Sequence, residues 1–179
     1  MVDPKALRRW TNRALYVALC ALLIFLDILP ISVEAGRYPG PDVMLALTFA
    51  IVMRRPRHLP APLIAAVFLA TDLLYMRPPG LWTAMVVLGT EYLRVHQSVN
   101  EETPFVTEWL TVAGTLLAML LAYRTVLWLT MVPQPPLTMA AAGAAATLLA
   151  YPLTVLVVRQ VLRIRRAAPG EVDPLEGRV

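Results

Sequence analysis

The chain has 179 residues, of which 58% are hydrophobic and 16% charged, and its mean hydropathy is +0.63. A soluble domain has roughly 45–50% apolar and about 25% charged residues, so the composition argues against that class and predicts an all-α polytopic membrane protein. The formal charge of +4 does not point to nucleic acid, because the arginines flank apolar segments instead of lining a polar face; they read as topology signals and phospholipid contacts.

Six spans of about 20 residues use roughly 120 and leave no room for a separate soluble domain. In chain order, Lys5, Arg8, Arg9 and Arg13 precede an apolar run and imitate a secretory signal, with Val33-Glu34-Ala35 as a loose cleavage site. The run from Ala14 to Leu29 exceeds a typical signal core, Pro30 interrupts it, and five more apolar segments follow, so a retained first span over 14–32 is expected. Cys20, the single cysteine, lies inside that run, with no disulfide or metal-ligand companion. The second span, 42–53, holds barely a dozen residues and must be tilted, extended through Tyr38-Pro39-Gly40-Pro41, or partly buried against its neighbours.

Span three, 59–76, starts with Pro60 and Pro62 in a first turn that has no intrahelical N–H bonds to lose, and it ends before Arg77-Pro78-Pro79-Gly80. Span four covers 81–95. A polar loop with Asn100, Glu101 and Glu102 leads to span five, 105–131, and Pro133-Gln134-Pro135-Pro136 turns into span six, 137–162. Residues 1–166 thus form one six-helix domain, followed by a short polar tail, 167–179.

Loops kept in the cytoplasm accumulate lysine and arginine. One side carries Lys5, Arg8, Arg9, Arg13, Arg54, Arg55, Arg57, Arg94, Arg159, Arg163, Arg165, Arg166 and Arg178; the other has only Arg37 and Arg77, with Arg124 inside a span. Both termini are therefore expected in the cytoplasm.

Charge inside a span is costly, at least about 2.5–3.5 kcal/mol at the centre on insertion scales, so each such residue needs a partner, water or the interface. Asp27, Asp72 and Arg124 form a candidate intramembrane cluster towards the outer side, with Asp42 opening span two at the same face. Arg124 is expected to pair with Asp72 or Asp27. Glu91 and Arg94 have the spacing of a local helical ion pair, Glu108 reads as an interfacial helix start, and His58 and His96 read as solvated loop residues. There is no phosphate-cradling glycine loop, no histidine pair at metal spacing and no nucleophile elbow, so no catalytic, cofactor or metal site is expected. Span six carries a small-residue run, 140–146, which permits close helix approach within the bundle or to a partner, and Pro152 is expected to kink it.

The order Pro41-Asp42, Arg54-Arg55-Pro56, Asp72-Leu73-Leu74, Pro78-Pro79-Gly80-Leu81 and Glu91-Tyr92-Leu93-Arg94 resembles the rod shape-determining MreD family of small bacterial inner-membrane proteins. The resemblance implies a fold similar to the substrate-binding components of energy-coupling-factor transporters. It also implies a non-enzymatic scaffold of cell elongation that binds MreC and couples MreB filaments to peptidoglycan synthesis by the RodA glycosyltransferase and its class B penicillin-binding transpeptidase. Under it, Asp42, Asp72, Arg77, Pro78 and Gly80 form an outer contact motif, and Arg54, Arg55 and Arg57 a cytoplasmic basic loop. The fold likeness leaves a second reading open, a small-molecule (vitamin-type) substrate-binding component of a transporter.

Overall fold

The computed structural model describes residues 4–29, 40–96 and 104–160. They form six α-helices: α1 Pro4–Ile28, α2 Val43–Val52, α3 Ala61–Leu74, α4 Leu81–His96, α5 Phe105–Leu129 and α6 Leu137–Gln160, with a 3-10 turn at Pro56–His58. Among the described residues, three stretches are long and apolar enough to cross a bilayer, Trp10–Ile28, Phe105–Leu129 and Leu137–Gln160. Pro30, Arg37, the loop with Asn100, Glu101 and Glu102, the arginines beyond Arg159 and the tail 167–179 lie outside the described residues.

The helices differ from the expected spans at two places. Helix α1 begins at Pro4, well before Ala14, because lysine and arginine are good helix formers and proline suits the first turn; hydropathy marks only its apolar part. Helix α2 has only 10 residues, about 15 Å at 1.5 Å per residue, roughly half the thickness of a bilayer core. Of the three ways to accommodate it, burial is the one observed. Every residue from Met44 to Val52 is buried, and α2 lies among α1, α4 and α6, while α3 packs on α4 and α5 bridges α4 to α6.

A helix enclosed on all sides needs no amphipathic stripe, and α2 has none: its sequence, VMLALTFAIV, is apolar all round apart from Thr48. Thr48 donates to the Met44 carbonyl at 2.8 Å and meets the Tyr16 hydroxyl at 2.9 Å, which joins α2 to α1. Thr71, Thr90, Thr115, Thr147 and Thr154 likewise donate to carbonyls of their own helices. Hydroxyls satisfied in this way can sit in an apolar interior without a water partner. Cys20 is buried beside this core, and Ala144 of the small-residue run packs against it.

Helices α3 and α5 end alike. Met76 and Met131 take left-handed conformations, with φ of 50° and 54°. The following N–H groups, of Arg77 and Val132, return to the Asp72 and Leu127 carbonyls, each at 3.0 Å, closing Schellman motifs that satisfy the last carbonyls of the helix.

Alternating helix directions give the bundle two ends. Arg13, Arg54, Arg94 and Glu108 gather at one, the arginine end, where Asn12 meets His58 Nδ1 at 3.1 Å and Arg13 donates to the His58 carbonyl. Asp27, Asp42, Asp72, Tyr75 and Arg77 gather at the other, the aspartate end.

Candidate functional site

At the aspartate end the chain must turn from α3 into α4 within a few residues, and Pro78, Pro79 and Gly80 shape that turn. Gly80 has φ +83°, the left-handed region that only glycine enters without penalty, and a Cβ there would meet nothing within 4 Å. The conformational requirement alone selects glycine. The first N–H groups of α4 lack helical acceptors, and Asp72 supplies one from the preceding helix. Its Oδ2 accepts from the Gly80 N–H at 3.0 Å, the Thr83 N–H at 3.1 Å and the Thr83 hydroxyl at 2.8 Å. Asp72 is thus a tertiary N-cap, fully buried, and its carboxylate also suits the positive end of the α4 dipole. The second oxygen, Oδ1, is buried without a partner among the described residues.

This arrangement overturns the expected pairing of Arg124 with Asp72 or Asp27. Arg124 Nη1 instead donates to the Pro135 carbonyl at 3.1 Å, and the Gln134 amide returns to the Arg124 carbonyl at 3.0 Å, so the arginine serves the α5–α6 turn. Asp27 accepts from the Tyr75 hydroxyl at 3.0 Å. The three charges share one end of the bundle but form no cluster.

Asp42 caps α2, its Oδ1 accepting from the Leu45 N–H at 2.8 Å, while its own N–H donates to the Thr147 hydroxyl at 2.9 Å. Thr147 stands ten residues into α6, about 15 Å along it, so α2 begins at mid-depth. Above its start the short helix leaves a recess of about 240 Å³, bounded by Ile24, Asp27, Asp42, Tyr75, Arg77 and Trp82 among others. The Arg77 guanidinium lies 5.3 Å from the centre of the Tyr75 ring and 5.9 Å from that of Trp82, a cation–π arrangement.

At the arginine end the loop Arg54, Arg55 and Arg57 is less solvated than its composition suggests. Arg54 is buried: Nη1 donates to Glu108 Oε1 at 3.0 Å and to the Ala50 carbonyl at 2.8 Å, and Nη2 reaches Oε2 at 3.5 Å. Tyr151 donates to the same Glu108 oxygen. Glu108 is therefore a buried junction of α2, α5 and α6, and the interfacial reading of it is corrected. Arg55 is partly buried, and the side chain of Arg57 lies outside the described residues. Sequence reasoning missed this network because Arg54 and Glu108 stand 54 positions apart, with no periodicity linking them. Arg94 does form the expected ion pair with Glu91, at 3.2 Å, and it also donates to the Leu59 carbonyl at 2.7 Å. His58, expected in solvent, is held by Asn12, whereas His96 is exposed and stacks on Tyr92.

These features define an all-helical bundle with long apolar helices, the pattern of a helical membrane protein. A comparison with models of known protein families, with curated proteins and with solved structures finds no match to this chain.

Proposed function

We propose that this chain is a non-enzymatic, MreD-like scaffold of the bacterial elongation machinery, a six-span inner-membrane protein with both termini in the cytoplasm. In this reading it binds the single-span, coiled-coil protein MreC and couples MreB filaments to the RodA glycosyltransferase and its transpeptidase. The observation that carries the proposal is the use made of the polar residues in the motif order. Asp42 caps α2, Arg54 ties α2 to α5, Asp72 caps α4, and Arg94 holds the turn before α3. Arg54, Asp72 and Arg94 act as struts between elements, which suits a rigid surface for partners more than a reaction centre. The exposed apolar faces of α1 and α5, with Leu22, Phe25, Leu117 and Leu121, remain available to lipid or a partner span.

The transporter reading has the recess in its favour, but about 240 Å³ falls below the 300–1,000 Å³ of a typical small-molecule pocket. Co-purification of the tagged chain from native membranes tests the choice. Recovery of a single-span coiled-coil protein with cell-wall synthases, and loss of rod shape on depletion, is expected; recovery of a bound vitamin with an ATPase module would overturn the scaffold.

A further inference from the structure

The recess at the aspartate end holds opposite charges that do not neutralise one another. Arg77 makes no ion pair among the described residues; its guanidinium is held by ring faces alone. Asp27 receives only the Tyr75 hydroxyl, and Asp42 only the Leu45 N–H. Neither carboxylate lies within 4.0 Å of Arg77, although both line the same recess with it. Separated, unpaired charges of both signs around a small opening fit a ligand carrying both signs at matching separation.

We propose that this recess binds the phosphoethanolamine headgroup of a zwitterionic phospholipid, its phosphate on Arg77 and its ammonium on Asp27 and Asp42. Position bears on this occupant: Asp27 stands one residue from the end of α1 and Arg77 three residues past α3, at the rim of the recess, while Asp42, at the start of α2, forms its deeper wall. Size is compatible as well: a recess of about 240 Å³ admits a headgroup and leaves the acyl chains outside it.

The chemistry also selects among lipids. A choline nitrogen has no N–H to give the carboxylates, and the ring faces that would otherwise attract it are covered by Arg77. Phosphatidylglycerol brings a phosphate but no cation, and it meets two carboxylates. Selection therefore comes from mismatch with the other headgroups as much as from attraction to the right one.

Native mass spectrometry on the full chain tests the assignment, after delipidation and titration with dioleoyl phosphatidylethanolamine, phosphatidylcholine or phosphatidylglycerol. Phosphatidylethanolamine is expected to be retained about tenfold over the other two, with a matching rise in melting temperature. Arg77→Gln and, separately, Asp27→Asn should erase that preference while leaving the lipid-free melting temperature unchanged, since both side chains are exposed. Equal retention of the three lipids, or a preference that survives both substitutions, overturns the proposal. Asp42→Asn, which keeps a capping oxygen for α2, serves as a third variant should either of the others fail to fold. The inference rests on the membrane location of the bundle and not on its partners, so its failure leaves the co-purification result standing.

Discussion

The indole N–H of Trp109 in α5 donates to the Leu148 carbonyl of α6 at 3.0 Å, and Leu148 is the residue four positions before Pro152. Proline has no N–H, so α6 leaves that carbonyl without its helical donor, and Trp109 replaces it from the neighbouring helix.

A double-mutant cycle follows from this pairing. Trp109→Phe should destabilise the bundle by about 1–3 kcal/mol, the cost of an unsatisfied buried group together with lost packing. Pro152→Ala restores an N–H to position 152, so the tryptophan substitution should cost less in that background. Thermal unfolding in detergent of the four proteins measures the difference; additivity would refute the replacement.

The Arg54–Glu108 pair predicts a different pattern. Glu108→Met leaves the buried Arg54 guanidinium without its carboxylate and should cost about 3–5 kcal/mol, and Arg54→Met, which takes the guanidinium from Glu108, should also destabilise. The double substitution removes both charges and should be more stable than either single one. Tyr151→Phe, which takes away one donor to Glu108, should cost about 1–2 kcal/mol. Folded yield and melting temperature are the measurements.

Asp72 and Arg124 separate a tertiary cap from the expected intramembrane pair. Asp72→Ala removes the acceptor of three hydrogen bonds and should cost at least about 2 kcal/mol, with Thr83→Val costing about 1 kcal/mol. Arg124→Gln should stay within about 0.5 kcal/mol, because its guanidinium makes one exposed bond to a turn carbonyl. A loss in Arg124→Gln as large as that in Asp72→Ala would restore the ion pair.

Backbone strain predicts a gain. Met76 is 94% exposed and holds φ of 50°, so its side chain packs on little while its Cβ strains the turn. Met76→Gly should raise stability by about 0.5 kcal/mol, the balance of left-handed relief against the greater flexibility of glycine when unfolded. Gly80→Ala should do the opposite, by about 1 kcal/mol, since space is free but the φ is not. Melting temperatures of the two variants decide the signs.

Much of the architecture was legible along the chain. Apolar runs and prolines set most helix limits within a few residues, and the Glu91–Arg94 pair and the glycine of the Pro78-Pro79-Gly80 turn followed from local spacing. These are properties of neighbours in sequence, where helical geometry alone sets which side chains meet. Tertiary structure decided the rest. It made α2 a half-length, enclosed helix that leaves a recess above it, joined Arg54 to Glu108 and Asp42 to Thr147, and assigned Asp72 to the start of α4 in place of Arg124. A buried charge needs a partner, and composition shows that need. Which partner answers depends on which helix ends come within about 3 Å of each other, and that distance is set only when the helices pack.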